Sequence, residues 1–251
     1  MTALPLSVRA ALWLTAAAGG RVDPDRAARA ALVGVDEVTG VVPGPASWPP
    51  TGETLVVPAL PRPGAIGGMP RTAPETLGAA VDAGECLVAA TTGGLLVPEL
   101  SEYGPAGDVG VLCTWTAFDA EPLPLHRVHA LDTGELARSL TQAIAEATAR
   151  LEAVGGIPWR ASQTHPAPHS ERSAALPPGL PPRATQLLLR AAEVRTLAQD
   201  GLAAEEAGAA YDASTSTARA HALRTLLGAA GDCLAGAATL AAHTLAPTHP
   251  D

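Results

Sequence analysis

The chain has 251 residues, enough for one large domain or two small ones, and a formal net charge of −9. All sixteen Lys and Arg positions are arginine, and neither lysine nor asparagine occurs anywhere. A Walker-type phosphate loop and Schiff-base chemistry, both of which need lysine, are therefore excluded, and the acidic balance counts against nucleic acid and anionic membranes.

Isoleucine is almost missing too (Ile66, Ile144 and Ile157 only), while Ala, Gly, Pro and Arg abound, as in a GC-rich coding sequence. With 4 Trp, 2 Tyr and 1 Phe, packing volume must come from Leu, Val and Ala, which favours closely approaching helices. Cys86, Cys113 and Cys233 are odd in number, far apart and without a C-x-x-C pair. They read as small buried apolar residues of a reduced, cytoplasmic chain rather than a zinc site.

In chain order, a helix is expected over 7–18, with Ser7 as its cap and Gly19 as its stop. The run Ala10–Ala18 resembles a signal peptide, but the single Arg9 and the early Pro5 weigh against that. A second helix opens at Asp23-Pro24, an N-cap followed by proline at the first helical position, and ends near Gly34. Acidic neighbours of Arg26 and Arg29 favour a packing role over a DNA-binding helix-turn-helix. A proline-punctuated connector follows over 42–50.

The period then changes. Residues 53–60 read as a strand, at an edge because of Pro58. Thr72 and Glu75 have capping-box spacing, starting a helix that stops at Gly84. Runs 86–90 and 95–97 flank Thr91-Thr92-Gly93-Gly94, a hairpin signal, and 109–117 alternates as a strand covered mainly on one side. Asp132 and Glu135 cap a helix whose stripe is Leu136, Leu140, Ile144, Ala147, Leu151 and Val154. Residues 155–182 are rich in Pro, Ser and His and read as a linker. Helices over 182–200 and from near Ser214 onward form an antiparallel hairpin, with Gly228, Gly231 and Gly236 allowing close approach. The apolar stretch 228–246 is too weakly hydrophobic to span a membrane.

The predicted fold is α+β: a small, mostly antiparallel sheet with flanking helices over 1–154, the linker 155–182, and a C-terminal helical hairpin over 183–246. The best candidate site is the glycine-rich segment 62–71. Amides around Gly64, Gly67 and Gly68 could cradle an anion, with Arg62 and Arg71 supplying charge. The plainer reading is a rigid loop. Residues 99–108 form an acidic loop whose three carboxylates, Glu99, Glu102 and Asp108, and the Tyr103 phenol could serve as acid and base in a hydrolase, though a solvated loop looks the same. His126, His129 and Asp132 have ligand-type chemistry, but the prolines before them point to a surface turn; His165 and His169 fall in the linker. Neither G-x-S-x-G nor H-E-x-x-H occurs.

Blocks 60–64, 80–87, 96–110 with Trp115, and 176–183 followed by the terminal hairpin together resemble an uncharacterised protein family of high-GC actinobacteria. The resemblance implies a cytoplasmic bacterial protein and carries no assigned activity, so no functional residues transfer. The expectation is a non-catalytic interaction or accessory protein, pairing with a protein partner or itself through the C-terminal helices. It includes no cofactor, metal, nucleic acid or membrane. The alternative is a binder or hydrolase of a small anionic ligand, in which Arg62, Gly64, Gly67, Gly68 and Arg71 face Glu102 and Asp108.

Overall fold

The computed structural model describes residues 4–44, 47–105, 108–154, 176–207 and 213–247. The first helix, α1 (Leu6–Ala18), is apolar on nearly every side and is buried from Leu6 to Ala16 except at Arg9. A helix of that kind is stable only when other elements surround it. It lies between α2 (Pro24–Ala31), the sheet edge and the last helix of the chain. Its N-cap is Pro5, not Ser7. The Ser7 amide instead donates to Glu85 Oε2 at 2.7 Å, so a carboxylate from a distant loop satisfies the helix end. For α2 the expected cap is present, Asp23 Oδ1 accepting from the Arg26 amide at 2.9 Å.

Five strands form one sheet in the order β1-β5-β4-β3-β2, all antiparallel except β1 against β5. They are β1 (Glu37–Gly40), β2 (Val56–Ala59), β3 (Cys86–Ala89), β4 (Leu95–Tyr103) and β5 (Gly110–Phe118). The fold is α+β with a mostly antiparallel sheet. Strand β1 was not foreseen, since four mostly exposed residues give no apolar period. Helix α3 (Pro74–Ala83) precedes β3 and ends at Gly84 in the left-handed region (φ 71°). Thr72 does not cap it: its hydroxyl donates to the Asp119 carbonyl at 2.9 Å, tying the helix entry to the end of β5.

Side chains alternate across the sheet and feed two cores. Val57, Cys86, Val88 and Leu95 pack with Leu12, Leu140, Leu188 and Leu234 on one face. Val56, Leu87, Leu96 and Trp115 pack with Trp13, Leu14, Ala27 and Trp48 on the other. The middle of the sheet is therefore covered on both faces, while β5 buries Cys113 and Trp115 on one side and carries Thr114 and Thr116 between Leu112 and Phe118 on the other. Each fully buried leucine contributes about 1.5–3 kcal/mol relative to exposure.

Edge strand β2 is closed off with care. The Thr15 hydroxyl of α1 donates to the Val56 carbonyl and accepts from the Val56 amide, both at 3.0 Å, standing in for a missing strand. Pro58, the next outward-facing residue, has no amide to satisfy. Glu53, just before β2, is 6% exposed and accepts six hydrogen bonds. These come from the amides of Thr54, Leu55, Thr91 and Thr92 and the hydroxyls of Thr91 and Thr92, at 2.8–3.0 Å. They fasten the entry of β2 to the β3–β4 turn.

The remaining helices are α4 (Leu125–His129), α5 (Thr133–Val154), α6 (Pro182–Ala207) and α7 (Ala213–Leu245). Asp132 caps α5 through the Glu135 amide at 2.8 Å, as its spacing predicts. The α6–α7 pair is antiparallel, with Glu205 bridging Arg219 at 2.6 Å and Gly201 against Leu223. Helix α6 runs to Ala207, seven residues past the expected end at Asp200. Helix α7 also packs on α5, α1 and β2, where Gly236 meets Leu136. Its C-terminus is capped by Arg21, which donates to the carbonyls of Leu245 and Thr244 at 3.2 and 3.0 Å. By length and composition Ser214–Leu245 could cross a membrane, but 67% of its apolar window is buried against the rest of the chain. The linker reading falls mostly on 155–175, outside the described residues.

Candidate functional site

The glycine-rich segment carries the chain from the end of β2 to α3. Arg62 and Ala65 exchange backbone hydrogen bonds at 2.9 Å, closing one tight turn, and Met69 closes a second on Ile66 at 3.1 Å. Gly64, Gly67 and Gly68 all take left-handed backbone (φ 82°, 57° and 88°). At Gly67 a Cβ would also lie 2.5 Å from the Leu60 carbonyl oxygen, so only glycine fits.

Arg62 does not await a ligand. Its guanidinium grips both carboxylate oxygens of Asp232 on α7 at 2.7 Å, crossing α7 where Gly228 leaves room. That pairing raises its pKa above the ordinary value against the opposing effect of burial. Arg71 is exposed at the other end of the loop, its carbonyl accepting from the Glu121 amide.

Gly67 and Gly68 do border a cleft of about 250 Å³. Its walls come from β2 (Val57, Pro58), the α4 region (Leu123, Arg127, Val128, Leu131) and α7 (Asp232, Ala235, Gly236, Thr239). Neither Glu102 nor Asp108 is among them. Residues 99–103 are not loop but the second half of β4, with Glu102 opposite Val111 and exposed. Asp108 sits in the turn before β5, also exposed, its amide donating to the Pro105 carbonyl. Among the described residues no hydrogen bond or ion pair joins the two segments.

The β4–β5 hairpin forms an arm with an unused edge. Strand β3 starts at Cys86, and its register with β4 ends at Leu87 opposite Leu96. Among the described residues, β4 beyond Pro98 therefore has β5 alone beside it. Val111 and Trp115 bond toward β1, so Leu112 and Thr114 bond toward Ser101 and Glu99. By the same alternation the amides and carbonyls of Leu100 and Glu102 face the open side. Pro98, at the point where β3 stops, carries no donor. Apolar side chains are exposed on this arm: Leu100 by 51%, Tyr103 by 44% and Val109 by 52%.

His126 and His129 lie on α4, a short helix rather than the expected turn. The His129 ring meets His243 edge-on at 5.3 Å. Among the described residues no three His, Cys, Asp or Glu side chains gather as a metal site. His165 and His169 lie outside the described residues. The three cysteines are free and buried. Burial pushes the thiols of Cys86 and Cys113 up to about 12, with Glu85 adding to the effect, and that of Cys233 up to about 11. Such thiols are poor nucleophiles at neutral pH.

Sequence reasoning missed Arg127, Thr239, the partner of Arg62 and the open edge. Each exists only where segments far apart in sequence meet. The acidic segment 99–108 carried one usable signal, its alternation Leu96, Pro98, Leu100, which extends the strand past 97.

A family model described as Rv1486c-like protein, N-terminal domain, matches residues 7–129, covering α1 to α4. A second, described as Rv1486c-like protein, C-terminal domain, matches residues 134–235, from α5 into α7. No curated protein and no solved structure matches the chain. With most of its length covered by these two models, the chain belongs to the Rv1486c-like protein family.

Proposed function

We propose that the protein is a non-catalytic, cytoplasmic interaction protein that takes an extended, positively charged partner segment along the open edge of β4. The observation that carries this reading is the β4–β5 arm, whose outward amides and carbonyls at Leu100 and Glu102 have no strand beside them among the described residues. Free edges of this kind bind other strands unless charge, proline or a covering element prevents it. Edge β2 has its proline and its helix; among the described residues the arm has neither beyond Pro98, and its Glu99 and Glu102 discourage neutral or acidic strands while attracting a basic one.

Charge supports the choice of partner. From Thr72 to Leu125 there is no Arg or His, while Glu75, Asp82, Glu85, Glu99, Glu102, Asp108, Asp119 and Glu121 are all acidic. An arginine- or lysine-bearing strand complements that field and is steered toward it. The C-terminal helices, the surface expected from sequence to bind a partner, pack their small residues within the chain: Gly228 against Arg62, Gly236 against Leu136 and Gly201 against Leu223. The three free, buried cysteines support a reducing compartment.

Leu100→Pro tests the idea, because it removes an outward amide while leaving the inward bonds of Glu99 and Ser101. Native co-purification with mass spectrometry at low salt should recover a basic partner with the wild type. Leu100→Pro and the double charge reversal Glu99→Arg/Glu102→Arg should lose it without lowering the melting temperature. Recovery of the same partner by all three proteins would refute the edge.

A further inference from the structure

The cleft beneath the glycine-rich loop has polar groups that the fold leaves unused. Thr239 is only 8% exposed, lines the cleft, and its hydroxyl makes no hydrogen bond among the described residues. Thr141, Thr148, Thr185 and Thr225 instead donate back to the carbonyl four residues earlier, and Thr244 to the one three earlier. The Thr239 side chain is largely buried, but its hydroxyl is not sealed off and can donate or accept in the cleft. Arg127 likewise lines the cleft with no side-chain hydrogen bond or ion pair among the described residues. Among the described residues the amides of Gly67 and Gly68 have no acceptor either. Asp232, the only carboxylate in the wall among the described residues, has both oxygens held by Arg62, which leaves the Arg127 charge without a carboxylate partner there.

The rest of the wall is apolar, from Val57 and Leu123 to Val128 and Ala235. A volume of about 250 Å³ lies below the roughly 300–1,000 Å³ that holds drug-sized ligands, and a dinucleotide does not fit. The geometry points to a binding site for a small organic monocarboxylate, its apolar body against β2 and α7 and its carboxylate held by Arg127 with the Thr239 hydroxyl. This site is independent of the β4 edge and needs no partner protein. No bond is made or broken in it.

Hexanoate is a suitable probe, titrated into the full chain by calorimetry, with hexanol and acetate as controls. Hexanoate should bind saturably, and hexanol and acetate each at least about tenfold more weakly, a difference of about 1.4 kcal/mol. Arg127→Gln, at an exposed position, should weaken hexanoate at least about tenfold and leave hexanol unchanged. Thr239→Val, which breaks no existing hydrogen bond, should weaken it several-fold, and Ala235→Leu should fill the cleft and abolish binding. Absence of saturable hexanoate binding up to about 10 mM, or equal affinity in wild type and Arg127→Gln, would overturn the assignment.

Discussion

Replacing Glu53 by glutamine tests the most heavily bonded side chain in the molecule. Its Oε1 accepts from the amides of Thr54 and Leu55 and the Thr91 hydroxyl; its Oε2 accepts from the amides of Thr91 and Thr92 and the Thr92 hydroxyl. Glutamine converts one oxygen to a donor, and whichever it is, two backbone amides lose their acceptor. The third partner is a hydroxyl, which can rotate to accept. Thr91 and Thr92 are exposed, so a glutamine NH2 turned toward their amides leaves them to water. A partly buried amide that loses its acceptor costs at the low end of about 1–3 kcal/mol, and Glu53→Gln should destabilise by about 1–3 kcal/mol. In a chain of this size that lowers the melting temperature by roughly 2–12 °C. Burial by itself raises the Glu53 pKa, but the bonds from Thr92, Leu55 and Thr91 outweigh it and hold the carboxyl below its ordinary value. A depressed folded-state pKa contributes stability above the unfolded-state pKa and loses it as pH falls through the folded value. Calorimetry of both proteins from pH 7 into acid should therefore find the full gap at pH 7 and convergence in acid. A gap under about 1 kcal/mol at pH 7, or one that does not narrow in acid, would refute the reasoning.

Two glycines should respond in opposite directions to alanine. At Gly19 the backbone is ordinary (φ −75°), but a Cβ would sit 2.2 Å from the Leu245 carbonyl oxygen, so Gly19→Ala should destabilise by about 1–3 kcal/mol. Gly78, inside α3, has nothing within 4 Å of its Cβ position, and Gly78→Ala should stabilise by about 0.5–1 kcal/mol in urea unfolding. The same sign for both would contradict the packing of α1 against the end of α7. The buried thiols of Cys86, Cys113 and Cys233, raised to about 12, 12 and 11, should resist Ellman's reagent in the folded protein at pH 8 and all react once unfolded. Fast labelling of any one in the native state would show that its burial is wrong.

Local chemistry made much of the fold legible. Asp23-Pro24 and Asp132 with Glu135 start helices because short-range capping is written in adjacent residues. Pro58 marked an edge because a proline cannot donate into a ladder. Gly84 ended α3 because only glycine takes that backbone cheaply. Where a cap had a distant competitor, local signals misled: Ser7 lost its role to Glu85, and Thr72 turned to Asp119.

The candidate site was legible only as ingredients. The segment 62–71 was recognisable as glycine-rich, but whether Arg62 stays free depends on Asp232, which lies 170 residues away. Glu102 and Asp108 looked like partners for it because sequence has no measure of distance between loops. Short-range periodicity and composition sufficed for the α+β class, for the order of the elements other than β1 and α4, and for the exclusion of lysine chemistry. Tertiary structure alone decided which polar groups were consumed and which were left over. Thr15 closes an edge, Glu53 ties the entry of β2 to the β3–β4 turn, and among the described residues the Leu100 amide and the Arg127 and Thr239 side chains have no partner, because hydrogen-bond satisfaction is settled by whichever group the packed chain brings within 3 Å or so.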